Sequence, residues 1–213
     1  KGSRLVDING KSYVDMGSGI GVTAFGFGDE AWTAAVTEQL GKVQHTSNLY
    51  YTEPCAYLAK LMCEKTGMKK VFFGNSGAEA NECAIKVARK YSAQKKGADC
   101  YTIVTLINSF HGRTLTTLAA TGQDHFHKDF QPLTPGFIHV PANDIDALKA
   151  AVAENKVAGI MMEVIQGEGG VNALDQIYLM EADKLCKEND IPVIIDEVQT
   201  GNGRTGKLYG YMN

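Results

Sequence analysis

The 213 residues carry a formal charge of −3, and 44% are hydrophobic and 21% charged. That balance is globular rather than disordered, with chain enough for one substantial core or for one domain and part of another. No apolar run approaches the roughly 20 residues of a membrane-spanning helix, Lys1 to Ile8 is not the apolar core of a leader, and the mildly acidic charge argues against a nucleic-acid footprint. Glycine is in excess, at 23 residues, and its clustering points to tight functional loops. The five cysteines, Cys55, Cys63, Cys83, Cys100 and Cys186, form no CxxC pair and read as reduced core residues of a cytoplasmic protein. The histidines have no close metal-ligand spacing, so no metal is assigned, including at His125 and His127. The chain starts at Lys1 and stops at Asn213 after an aromatic-glycine stretch, and neither is expected to be a natural terminus.

In chain order, residues 4 to 16 predict a β-hairpin in which Asn9-Gly10 forms a type I′ turn. Residues 17 to 28, rich in glycine, predict a winding loop. Glu30 to Val43 predicts a helix with Trp32, Val36, Leu40 and Val43 on one face. Pro54 to Lys65 predicts a second helix, stopped by Gly67. From there apolar runs and helical patterns alternate. Strands are predicted at Val71 to Phe73, Tyr101 to Ile107, Phe137 to Val140, Val157 to Val164 and Ile191 to Glu197. Between them lie helices at Ala78 to Tyr91, with Ala80, Cys83, Ala84, Val87, Ala88 and Tyr91 at helical spacing, and at Thr114 to Ala120, Asp144 to Glu154 and Tyr178 to Glu188. The expected fold is α/β: three layers, with a mostly parallel sheet between helices.

Ligands of such sheets bind outside the carboxyl ends of the strands, and each of those ends is rich in glycine and polar residues. Gly74 to Ala80 joins a strand to a helix. Its free amides and helix dipole suit an anion, although a plain cap by Asn75 or Ser76 reads equally well. It is neither GxxxxGK[ST] nor GxGxxG, which disfavours nucleoside triphosphates and dinucleotides. Within Ser109 to Arg113, Arg113 can clamp a carboxylate and Phe110 can face an aromatic ligand, or they can be a surface arginine and a core phenylalanine. Glu163 and Glu168 flank a turn, where paired carboxylates do acid/base work or merely hold a loop. Asp196 ends an apolar strand, so its carboxylate needs a partner. A protonated ring nitrogen, a metal or a following turn would each serve. An anion cradle, a flat aromatic, a carboxylate for a ring cation and an arginine together describe pyridoxal phosphate.

The segments Ser76-Gly77-Ala78-Glu79-Ala80, Phe110-His111-Gly112-Arg113-Thr114, Glu163-Val164-Ile165-Gln166-Gly167-Glu168-Gly169-Gly170 and Asp196-Glu197-Val198-Gln199-Thr200-Gly201 follow in that order. The chain thereby resembles, over essentially its whole length, the class III (ornithine-type) aminotransferases of pyridoxal-phosphate fold type I. The resemblance implies that the amides of Gly77 and Ala78, with Ser76, hold the cofactor phosphate. It implies that Phe110 and Val198 cover the two ring faces, that Asp196 pairs with the ring nitrogen, and that Gln199 meets the phenolic oxygen. Arg113 is implied to bind a substrate carboxylate, and Glu168 to gate a second arginine.

The family's Schiff-base lysine is implied beyond the Asp196 motif, downstream of Asn213, as are the small C-terminal domain and that second arginine. Lys207 lies too early to be that lysine, so no catalytic residue is assigned within 1–213. Gly26-Phe27-Gly28-Asp29 stands where family members usually carry a histidine-rich stretch, and it is given no role. Residues 1–45 are expected to belong to a small domain or dimer arm, and 46–213 to the cofactor-binding large domain. His45-Thr46-Ser47-Asn48-Leu49-Tyr50-Tyr51 resembles the branch that moves the terminal amino group of N-acetylornithine to 2-oxoglutarate in arginine biosynthesis. Alternatives are ornithine, succinylornithine or 4-aminobutyrate as donor, or a non-catalytic binding protein of the same fold. The implied setting is a cytoplasmic homodimer with no nucleic-acid or membrane partner.

Overall fold

The computed structural model describes residues 1–213, which fall into two compact units, Lys1–Val71 and Phe72–Asn213.

In the first unit, β1 (Arg4–Val6) and β2 (Ser12–Val14) pair antiparallel, Leu5 opposite Tyr13. The hairpin is present but its turn is not type I′. Gly10 N–H donates to Asp7 O, Asp7 N–H to Lys11 O, and only Gly10, at φ 82°, is left-handed. That is the longer loop in which a turn is followed by a left-handed glycine. The Asp7 carboxylate selects it by accepting from the Asn9 and Lys11 amides, and those bonds hold it below the usual aspartate range, the Lys11 amide contributing most. The glycine-rich loop contains one turn, α1 (Ser18–Gly21), left-handed at Gly19 and Ile20. α2 (Glu30–Leu40) is capped by the Asp29 carboxylate on the Trp32 amide, and α3 (Glu53–Thr66) ends at left-handed Gly67. The apolar face expected on α2 exists, but Trp32, Val36, Leu40 and Val43 are all exposed.

The second unit carries a parallel sheet of four strands, ordered β4-β3-β5-β8. These are β3 (Thr102–Leu106), β4 (Phe137–Val140), β5 (Val157–Met162) and β8 (Val193–Ile195). Period-2 alternation sends Val104, Leu106, Ile160 and Met162 to one core, with Leu148 of α7 (Ile145–Glu154) and Tyr178, Ala182 and Cys186 of α8 (Gln176–Glu188). Ile103, Ala158 and Met161 face the other core, with Ile85 and Ala88 of α4 (Gly77–Lys96) and Ala120 of α5 (Leu115–Ala120). Helices therefore cover both faces, which is why β5 is buried at every residue. The chain leaves β3 for β4 on one side and returns through α7 to β5 on the other, so a crevice opens at the carboxyl ends of β3 and β5.

Several details depart from the sequence expectation. Val71 to Phe73 forms no strand, and Phe72 and Phe73 are exposed; a short apolar run does not by itself create a ladder partner. The buried face of α4 is Asn81, Ile85, Ala88 and Ser92, while Val87 is 62% exposed. Of the predicted face only Ala88 is fully buried, and two members of the observed face are polar and satisfied inside: Ser92 Oγ donates to Ala158 O and Asn81 reaches the site described below. α6 (Asp124–His127) and the short antiparallel pair β6 (Ile165–Gln166) and β7 (Asn172–Ala173) carry too little periodicity to be read. All five cysteines are free, but only Cys100 and Cys186 are buried, and Cys55 is exposed. Burial pushes the Cys186 thiol up to about 12, which makes it inert. No helix is long and apolar enough to cross a membrane.

Leu148 is fully buried between the sheet and its helices, whereas Leu5 is 43% exposed. Leu148→Ala is expected to cost about 2–5 kcal/mol and Leu5→Ala less than about 0.5 kcal/mol. Urea denaturation of both variants checks the contrast.

Candidate active site

The site begins at α4. Ser76 is its cap, accepting the Glu79 amide at 3.2 Å, and Glu79 reaches back to accept the Asn75 amide at 2.6 Å. The cap is filled, yet the amides of Gly77 and Ala78 find no acceptor in the chain. Two free amides at the positive end of a 20-residue helix make an anion cradle. Gly77 is required there: a Cβ would stand 2.5 Å from Val198 Cγ2. The cap and the cradle, alternatives in the sequence, coexist.

One helical turn below, Asn81 is buried, and its amide donates to Asp196 Oδ2 at 2.8 Å and to His111 O at 2.9 Å. His111 Nδ1 lies 2.9 Å from the same Asp196 oxygen, and the Val198 amide donates to Oδ1 at 3.0 Å. Burial by itself pushes the Asp196 carboxyl up, but the His111 hydrogen bond and charge, with the Val198 and Asn81 donors, together hold it below the usual range. Asp196 is therefore ionised and only accepts, which makes His111 Nδ1 the donor and leaves Nε2 buried without a partner. Three donors occupy a carboxylate that can take about four, so one acceptor position stays open on Oδ1. The neighbouring Glu197 turns away and accepts from Thr200 Oγ1 and from the amides of Gly210 and Tyr211.

Phe110 and His111 leave β3 toward this carboxylate. Their amides are fixed by Glu163 Oε2 at 3.0 Å and Thr121 Oγ1 at 2.9 Å. Phe110 is half-buried and meets Phe126 edge-on at 5.4 Å. Arg113 is exposed, with its guanidinium carbon 6.0 Å from the centre of the Phe110 ring and 5.3 Å from that of Phe126. It has no carboxylate partner within the chain. Glu163 and Glu168, read as a possible acid/base pair, face different neighbours. Glu163 is 4% exposed against the Phe110 amide, while Glu168 is exposed and accepts from Gln123. Gln199, also exposed, lies over Gly167, where a Cβ would stand 2.2 Å from its Oε1.

The sequence-predicted residues thus gather at the carboxyl ends of β3, β5 and β8 and at the start of α4. The sequence assigned no part to Asn81 and His111, which hold Asp196. His111 sat inside a motif already singled out. Asn81 was marked by one signal only, its place four residues after Gly77 on the same helical face.

The aminotransferase class-III family matches residues 1–213. An acetylornithine aminotransferase of Haemophilus ducreyi is 56% identical over 99% of this chain and 54% of its own length. One from Caldanaerobacter subterraneus is 50% identical over 99% of this chain and 53% of its own. A crystal structure of N-acetylornithine aminotransferase from Stenotrophomonas maltophilia superposes with a TM-score of 0.85 at 37% identity, covering all of this chain and 53% of that one. An ornithine aminotransferase from Toxoplasma gondii, described with partial occupancy of pyridoxal phosphate at its active site, gives 0.94 at 34% identity, over all of this chain and 51% of its own. The chain belongs to the class III aminotransferases, a pyridoxal-phosphate-dependent family. It spans about half the length of the relatives it matches.

Glu163 supplies a test of the electrostatics. Burial pushes its carboxyl from 4.5 up to about 7, against smaller opposing effects of His111 and the Phe110 amide. A folded value above the unfolded one means that the folded state holds the proton more tightly. Stability therefore falls as pH rises from about 4.5 to 7. Glu163→Gln keeps an acceptor and removes the charge, so its stability relative to the parent is expected to rise between pH 5 and pH 8, by up to about 3 kcal/mol. Thermal denaturation at the two pH values would contradict this with an equal difference at both.

Proposed function

We propose that this chain forms part of an enzyme that transfers the terminal amino group of N-acetylornithine to 2-oxoglutarate. The carrying observation is the buried Asp196 carboxylate, kept ionised by Asn81, His111 and the Val198 amide and left with one open acceptor position. The identity of 44–56% to acetylornithine aminotransferases across the chain supports the choice of donor. One of these relatives, from Pseudomonas aeruginosa, is named for both succinylornithine and acetylornithine, so the succinylated donor is the nearest alternative.

The residues fit pyridoxal phosphate. The unpaired amides of Gly77 and Ala78, beside the Ser76 cap, suit a phosphate. Phe110 and the exposed, apolar Val198 would take the two faces of a ring, and Gln199 would meet its phenolic oxygen. When bound, the cofactor supplies an aldehyde carbon that accepts the amino group and a ring nitrogen whose positive charge makes the ring an electron sink. Asp196 would hold the proton on that nitrogen by offering Oδ1. Arg113 has no carboxylate of its own, and the Phe110 and Phe126 rings keep its guanidinium at the site mouth, where it would bind the α-carboxylate of donor or acceptor. Glu168 would gate a second arginine. A donor with an acylated α-nitrogen brings one charge fewer to the site. The proposal includes a cytoplasmic homodimer, with residues 1–45 in a small domain or dimer arm and 46–213 in the cofactor domain.

In the full-length enzyme, Asp196→Asn removes the charge that would face the ring nitrogen. Hydrogen bonds to charged groups are worth roughly 1.5–3 kcal/mol, so turnover is expected to fall at least about tenfold; near-normal turnover would contradict the assignment. In side-by-side kinetics of the full-length enzyme, N-acetylornithine is expected to exceed ornithine and 4-aminobutyrate in kcat/KM. Arg113→Ala is expected to harm N-acetylornithine more than 4-aminobutyrate. A preference for 4-aminobutyrate, with Arg113→Ala indifferent to N-acetylornithine, would overturn the donor and the clamp together.

A further inference from the structure

Glu163 is a buried carboxylate with no cation bonded to it, and the mechanism above leaves it without a task. It stands at the carboxyl end of β5, directly after Met162, whose carbonyl accepts the Asp196 amide at 2.8 Å. Its own Oε2 accepts the Phe110 amide at 3.0 Å. One short stretch of β5 therefore braces both neighbours: Met162 the carboxylate residue, Glu163 the aromatic one. The next residue, His111, closes the frame. Its amide is held by Thr121, its carbonyl by Asn81 and its ring by Asp196. Within the Phe110–His111 pair, the Phe110 amide is the one backbone donor whose acceptor comes from β5, the strand beside β3.

We propose that Glu163 is a positioning residue. From the end of β5 it fixes the Phe110–His111 backbone, and through it both the plane of the Phe110 ring and the approach of His111 to Asp196. Leaving the Phe110 amide unpaired in this buried setting would be unfavourable, and the backbone would shift to find another acceptor. The ring and the imidazole follow that backbone. The carboxylate acts as an acceptor here, so glutamine can replace it.

The inference rests on the proposal that the site binds pyridoxal phosphate, and the test separates the two. The full-length protein is stripped of cofactor and titrated with pyridoxal phosphate, reading the dissociation constant by equilibrium dialysis and ring orientation by the induced circular dichroism of the bound cofactor. Glu163→Leu, which has no acceptor, is expected to weaken binding about tenfold or more and to change the sign or intensity of the induced band. Glu163→Gln is expected to stay within about threefold of the parent with its band intact. Parent-like affinity and dichroism in Glu163→Leu would overturn the inference while leaving the cofactor proposal standing. Equal loss in both variants would overturn the acceptor role. Failure of the parent protein to bind would overturn the cofactor proposal instead. If Glu163→Leu does not fold, amide exchange in the parent decides: Phe110 N–H is expected to be protected like the neighbouring His111 amide, and exchange at the rate of an exposed loop would overturn the inference.

Discussion

The site depends on one buried negative charge. Asp196 lies at the end of an apolar strand, 6% exposed, where an unpaired carboxylate would not remain ionised. Each neighbouring element contributes to keeping it charged: α4 through Asn81, the end of β3 through His111, and its own turn through the Val198 amide. Two of these elements are far from Asp196 in the chain: Asn81 by 115 residues and His111 by 85. The parallel topology brings them together by placing the ends of β3, β5 and β8 on one edge and the start of α4 above it.

Glu163 shows the opposite solution a short distance away. It is equally buried but bonds to backbone amides rather than to a histidine, and its carboxyl is pushed up to about 7 instead of down. Two carboxylates at neighbouring strand ends thus differ in their affinity for protons: burial prevails at Glu163, whereas the donors around Asp196 overcome it. The sequence alone treated Glu163 and Glu168 as the pair of interest. The Asp196 charge adds a smaller upward push on Glu163, to which burial contributes most.

Much of this was legible beforehand because burial patterns are local. Phe137 to Val140 was delimited as a strand to the residue, and the helix expected over Asp144 to Glu154 is capped by Asp144, whose side chain accepts the Ala147 amide. The cradle, the flat aromatic and the strand-end aspartate were legible because each is a residue type at an element boundary. What escaped was long-range. Val71 to Phe73 looks like a strand in composition, but a strand exists only where a partner lies alongside. Asn81 and Ser92 interrupt an apolar face and so hid it, since nothing local reveals which distant carboxylate or carbonyl will satisfy them. His111 was visible within its motif, but its partner, Asp196, lies 85 residues away.

The central claim is that this frame keeps Asp196 ionised and so keeps a cofactor ring nitrogen protonated. Nitrogen-15 NMR of pyridoxal phosphate labelled at the ring nitrogen, bound to the full-length protein, addresses it directly. The account predicts a pyridinium-like shift that stays constant from pH 5 to about pH 8, because Asp196 is charged throughout that range. A neutral-pyridine shift at pH 7, or one that titrates as it does in the free cofactor, would contradict it.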